Sequence, residues 1–193
     1  MPACAWWNKL KILAHVVFRL KPGWISGCDW VTFLPTCLNS GGIRMNNLFQ
    51  PTAVDSLISR IDQLQPSSRR QWGKMDVAQM MAHCSAALDM ASGKIVAKRT
   101  LIGRVVGPRF RQLMTNDKPF GHGAPTSREL KVVDSRAFAE EQEHLKQCVR
   151  EFHQGGESKC TTNDHPFFGP LTAMEWSTGM YKHVDHHLQQ FGV

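Results

Sequence analysis

The C-terminal stretch Thr172 to Gln190 constrains the fold of this chain more than any other. Thr172 and Glu175 have the spacing of a capping box, in which each side chain satisfies a free backbone donor of a helix's first turn. Pro170 lies just upstream and Gly192 just beyond, where start and stop residues are expected. At about 100° per residue, Trp176, Met180, Val184, Leu188 and Phe191 share one apolar arc. A helix with one apolar stripe must bury it against other elements, so the chain needs partner helices or a sheet. His183 and His187 lie at the edge of that stripe, one turn apart, where two imidazoles can chelate a single metal ion. His186 points about 100° away from His187, among Lys182, Gln189 and Glu175, and reads as a solvated surface histidine. A histidine pair alone is weak grounds for a metal site, because edge-of-core histidines commonly just hydrogen-bond. A third ligand is required.

The partner elements also read as helices. From Thr52, Val54, Leu57, Ile58, Ile61 and Leu64 recur at helical spacing, with Thr52 as cap and Pro66 as stop. Met75 to Ser92 carries Asp76 and Gln79 at capping-box spacing, Gly93 as a stop, and the arc Val77, Met80, Met81, Cys84, Leu88 and Ala91. His83 sits at the edge of this arc much as His183 sits on its own. If both arcs face one core, His83 is the best third ligand. Cys84 points about 100° away and packs as a small apolar residue. A further helix is expected from about Ser135 to Gln154, capped by Asp134, with Phe138, Leu145, Val149 and Phe152 on one face and Gly155-Gly156 at its end. Its His144 and His153 fall off that face and are expected to be exposed. The expected fold class is therefore all-α.

Residues 94–111 hold Lys94, Lys98, Arg99, Arg104, Arg109 and Arg111 and no acidic residue. An apolar pattern, Leu101, Ile102, Val105, Val106, Phe110 and Leu113, runs through them and is interrupted by Gly107-Pro108. The stretch reads either as an anion site for a carboxylate-bearing or phosphorylated ligand, with Arg104 and Arg109 holding it, or as a solvated basic face; the latter has the greater weight. The loop Asn116 to Thr126 contains an exposed His122. A second loop, Asn163 to Pro170, carries His165. The final helix spans about 15 Å between Ala173 and His183, which makes direct ligation by His165 implausible.

Residues 1–44 stand apart. They hold four of the six tryptophans and three of the six cysteines, with no sustained periodicity. Of the formal net charge of +7, this segment carries +4 and the rest +3. A membrane-surface or partner-binding arm is one reading; an accessory tail, or an upstream start with Met45 the true beginning, is favoured. Residues 45–193 are then the folding unit. The six cysteines show no C-x-x-C pair and read as reduced, cytoplasmic thiols. No apolar run reaches the roughly 18 residues of a membrane span. No nucleic-acid module or interleaving of exposed aromatics with basic residues is visible.

The motifs Trp72-Gly-Lys-Met75, Gln79-Met-Met-Ala-His83, His165-Pro-Phe-Phe-Gly169, Trp176 and Tyr181-Lys-His183-Val-Asp-His-His187-Leu-Gln-Gln-Phe191 together resemble the DinB/YfiT-like metalloenzyme superfamily, and more narrowly one of its uncharacterised branches. The resemblance covers about Asn46 to Val193. It implies a DinB-like four-helix bundle with a long crossover and extra short helices. It also implies a divalent metal, zinc or nickel, held by His83, His183 and His187. Some relatives transfer low-molecular-weight thiols. The expected function is a metal-dependent enzyme acting on a small-molecule substrate, a thiol S-transferase or else a hydrolase, against a non-enzymatic metal-binding bundle. No general base is assigned, and a homodimer is left open.

Overall fold

A computed structural model describes residues 45–123 and 126–193 of the chain. The N-terminal segment 1–44, expected to be an appendage, lies outside the described residues. Five α-helices are present among them: α1 (Pro51–Gln63), α2 (Val77–Ala91), α3 (Leu101–Phe110), α4 (Phe138–Gly155) and α5 (Ala173–Gln190). Short 3-10 turns cover Arg111–Met114, Arg128–Leu130 and Glu157–Lys159. No strand occurs among the described residues, and the class is all-α.

Helices α1, α2, α4 and α5 form the bundle. Both α1 and α2 pack against α4 and against α5, while α1 and α2 do not touch. The order around the bundle is therefore α1, α4, α2, α5. The link from α2 to α4 is the long crossover, and it carries α3 and two of the 3-10 turns. Every apolar arc read from the sequence of α1, α2 and α5 turns inward. Leu57, Ile61, Met80, Met81, Leu145, Val149, Trp176, Val184 and Leu188 are almost wholly shielded from water. Burying each such side chain contributes about 1.5–3 kcal/mol, before chain entropy is offset.

The helix starts follow cap chemistry with two corrections. The boxes Asp76/Gln79 and Thr172/Glu175 form as expected, each with both reciprocal hydrogen bonds. Thr52 does not cap α1. Gln50 is the N-cap and Pro51 opens the helix, where its missing N–H costs nothing. Asp134 does not cap α4, which begins later, at Phe138, behind Ala137. Asp134 instead pairs with Arg136, and its carbonyl accepts from Gln79 Nε2 at 3.1 Å.

Helix α3 departs furthest from expectation. It is not broken at Gly107-Pro108; it runs through Pro108 to Phe110. Its apolar residues do not pack inward. Leu101, Ile102 and Val105 are between 71% and 81% exposed, and the buried positions are Gly103 and Gly107. These glycines lie against the backbone of the His165–Gly169 loop, where a Cβ on Gly107 would fall 1.8 Å from the Phe167 carbonyl oxygen. The loop is itself closed by paired backbone hydrogen bonds between His165 and Gly169, and the Thr100 N–H ties it to the start of α3 through the Pro166 carbonyl at 3.0 Å. Close backbone approach, rather than apolar patterning, decides which face of α3 is inside.

Candidate metal centre

His83 on α2 and His183 and His187 on α5 come together because α2 and α5 are neighbours and each presents its histidine edge to the shared seam. One ring nitrogen from each lies within 4.8 Å of the other two. The ring centroids are 4.8–5.0 Å apart, with interplanar angles of 48°, 70° and 80°. His83 and His187 are largely buried, at 4% and 9% exposure.

Neighbouring groups decide which nitrogen each ring offers. His83 Nδ1 lies 2.8 Å from the carbonyl of Leu130, in a 3-10 turn of the crossover. A carbonyl only accepts, so Nδ1 carries the proton and Nε2 keeps its lone pair. His187 Nδ1 lies 2.8 Å from Gln190 Oε1, while Gln190 Nε2 donates to the Trp72 carbonyl at 2.6 Å. The carbonyl of Trp72 sets the carboxamide's orientation, the carboxamide must accept from His187, and Nε2 of His187 is again the free acceptor. His183 Nε2 is closed to solvent and has no hydrogen-bond partner. An orphaned buried imidazole nitrogen is costly unless something ligates it. Two oriented rings and one orphaned nitrogen fit a divalent ion, and backbone or amide partners on the distal nitrogen are the usual support for histidine ligands.

Electrostatics favour the ligating protonation state. Burial lowers the pKa of all three histidines, that of His187 to about 3 and that of His183 well below its ordinary value. The charged forms of neighbouring imidazoles lower His183 and His187 further, whereas the hydrogen bonds of Leu130 and Gln190 work in the opposite direction. All three rings are neutral at pH 7.

The other sequence-predicted residues sort differently. His186 is not a free surface group. It is half-buried in an aromatic cluster, its ring 5.6 Å from Trp72, 5.9 Å from His122 and 6.1 Å from Phe120. His122 is exposed as expected, yet it stacks on Trp72 at 4.0 Å. This cluster forms a wall beside His187, whose ring is 5.2 Å from that of His186. Lys182, expected beside it at the surface, is buried, and its Nζ donates to the carbonyls of Leu113 and Asn116 and to Asn116 Oδ1, pinning the crossover to α5. His144 is exposed, but His153 is not; its Nδ1 bonds the Leu48 carbonyl at 2.8 Å. His165 is not among the three converging histidines. Its Nδ1 accepts from the N–H groups of Phe167 and Phe168, which places its proton on Nε2, and burial lowers its pKa to about 4. Arg104 and Arg109 are exposed on α3, and their side chains make no hydrogen bond or ion pair among the described residues. Arg111, by contrast, is held by Glu175.

Sequence reasoning missed Leu130, Trp72 and Gln190. Gln190 was within reach, since it follows His187 by three residues on the same helical face. Nothing local marks Leu130, whose role depends on where the crossover lands.

A family model described as "Protein of unknown function (DUF1569)" matches residues 44–192. No curated protein and no solved structure matches the chain.

Proposed function

From the premise that the chain belongs to the DUF1569 family, we propose that it is a metal-dependent enzyme whose ion is held by His83, His183 and His187 and whose substrate is a small acidic thiol. The observation that carries the reading is the orphaned His183 Nε2 beside two rings whose tautomers are already set for ligation. The ion, zinc or nickel, would supply Lewis acidity that favours the deprotonated, nucleophilic form of the thiol at neutral pH.

The chain's own residues do the rest. Three neutral imidazoles leave the site's positive charge uncompensated, so an anionic sulfur is electrostatically the best occupant. A free thiol ionises at about pH 8.5, far below water at about 15.7, so it needs the smaller lowering from the ion to become the nucleophile. This favours the thiol reading over the hydrolase reading. Trp72, His122 and His186 wall one side and restrict solvent there. Arg104 and Arg109, exposed on α3 and with side chains unpaired among the described residues, hold the thiol's carboxylates, for which a planar guanidinium is suited.

Metal-loaded protein should accelerate conjugation of glutathione-like thiols to an electrophile. His83→Ala should abolish the rate, whereas Arg104→Ala and Arg109→Ala should raise the thiol KM with kcat little changed. Metal-dependent cleavage of an ester or amide, with no thiol reaction, would transfer the reading to a hydrolase. Inactivity in both assays of fully metal-loaded protein would leave a binding role.

A further inference from the structure

A second convergence of donor atoms lies on a different seam of the bundle. Asp89, in the last turn of α2, meets His144 and Cys148, which are one turn apart on α4, and a ligand atom of each lies within 4.8 Å of the others. This is the logic of the three-histidine centre repeated with mixed donors: an i, i+4 pair on one helix completed by a residue of the helix packed against it. None of the three belongs to the centre already described. We propose that Asp89, His144 and Cys148 form a second metal site, for a borderline-soft divalent ion such as zinc, which clamps the C-terminal end of α2, where the crossover leaves, to the middle of α4.

Four observations support it. The donor set is one thiolate, one imidazole and one carboxylate, the mixture zinc accepts in tetrahedral sites, with the exposed side of His144 leaving room for a water as fourth ligand. Asp89 uses Oδ1 for both Lys94, at 3.1 Å, and the Cys148 thiol, at 3.9 Å, and its Oδ2 makes no hydrogen bond among the described residues. Glu151 shares Lys94 at 2.8 Å and Glu141, paired with Arg136, lies 3.9 Å from His144, so the neighbourhood of the trio carries three carboxylates against two cations and attracts a further one. Ser85, one turn before Asp89 on α2, has a buried hydroxyl with no hydrogen-bond partner, close enough to act on the Cys148 thiol. A thiolate would accept from that hydroxyl and satisfy it. On binding, the Cys148 S–H bond breaks, its proton leaves to solvent, and the sulfur's electron pair is shared with the ion. No oxidant or reductant takes part. Burial and Asp89 raise the pKa of the free thiol to about 11, so this proton is present before the ion arrives and its release can be measured.

Cobalt(II) is the probe, used on the full chain. A cysteine ligand produces a thiolate-to-cobalt charge-transfer band in the near ultraviolet, which a three-histidine centre does not. The band should appear in the wild-type protein and persist in His183→Ala, and it should vanish in Cys148→Ser. His144 is exposed and its replacement should not disturb folding, so His144→Ala should fold and weaken the band-forming affinity by more than about tenfold. Zinc should raise the melting temperature of His183→Ala and should fail to do so when His144→Ala is added, a reading that stands even if Cys148→Ser does not fold. A missing band in wild type, a band that survives Cys148→Ser, or unchanged affinity in His144→Ala would each overturn the proposal and return the trio to a hydrogen-bonded cluster.

Discussion

Gln190→Ala should weaken metal binding at the three-histidine centre without removing any ligand. Gln190 is 3% exposed and makes two hydrogen bonds through its side chain, donating to the Trp72 carbonyl and accepting from His187 Nδ1. Truncation frees His187 to rotate and to adopt the other tautomer, in which Nε2 bears the proton and cannot ligate. Loss of such a supporting partner typically costs 10–100-fold in metal affinity, about 1.4–2.7 kcal/mol. The apo fold should lose about 1–3 kcal/mol as well, since the half-buried Trp72 carbonyl and the buried His187 N–H are left unpaired. That is within the usual margin of about 5–15 kcal/mol, so the variant should remain folded. Gln190→Glu separates the two effects. Its carboxylate still accepts from His187, so metal affinity should be kept, but it cannot donate to Trp72, so the apo melting temperature should still fall. Competition with a chromophoric chelator gives the affinity, and thermal melts of chelator-treated protein give the stability. Affinity in Gln190→Ala within about threefold of wild type would refute the tautomer argument, because an order of magnitude or more is required.

Other expectations follow from the same structure. His83, His165, His183 and His187 are held neutral in the fold by burial and take up protons on unfolding at their ordinary value of 6.5, so the chelator-treated protein should lose stability as pH falls from about 6.5 towards the depressed folded values, about 4 for His165 and about 3 for His187. Melting temperatures that stay flat between pH 7 and pH 4.5 would contradict this. Gly107→Ala should cost about 1–3 kcal/mol by driving α3 off the Phe167 carbonyl, while Val105→Ser, 81% exposed, should lie within about 0.5 kcal/mol of wild type; equal melts for the two would remove the case for an inward glycine face. Deleting residues 1–44 should leave the far-ultraviolet circular dichroism of residues 45–193 and the melting temperature unchanged, and a large loss of either would make that segment structural.

Helices α2 and α5 are legible in the sequence to within two residues because each carries a capping box and a long apolar arc, two local signals that agree. The histidine edge on each follows from the same helical phase, which is why His83, His183 and His187 could be singled out before any geometry was known. Most of the misreadings have one physical root: they concern contacts whose partner is distant in the chain. His186 counts as solvated on its helix alone, but Trp72 and the crossover loop cover it. Lys182 looks like a surface charge until the carbonyls of Leu113 and Asn116 arrive. The apolar residues of α3 suggest an inward face, yet the glycines win because only they admit the Phe167 backbone. Asp134 has cap chemistry but is drawn away by Arg136 and Gln79.

Whether His83, His183 and His187 hold an ion decides what this bundle can do. The direct test is elemental analysis of full-length protein purified without a polyhistidine tag and dialysed against metal-free buffer, alongside His183→Ala, His187→Ala and His186→Ala. Wild type should exceed His183→Ala and His187→Ala by about one divalent ion per chain and should match His186→Ala, whose ring packs with Trp72 and His122 and is not among the three converging histidines. Equal metal content in wild type and His183→Ala, or a loss in His186→Ala as large as in His187→Ala, would contradict it.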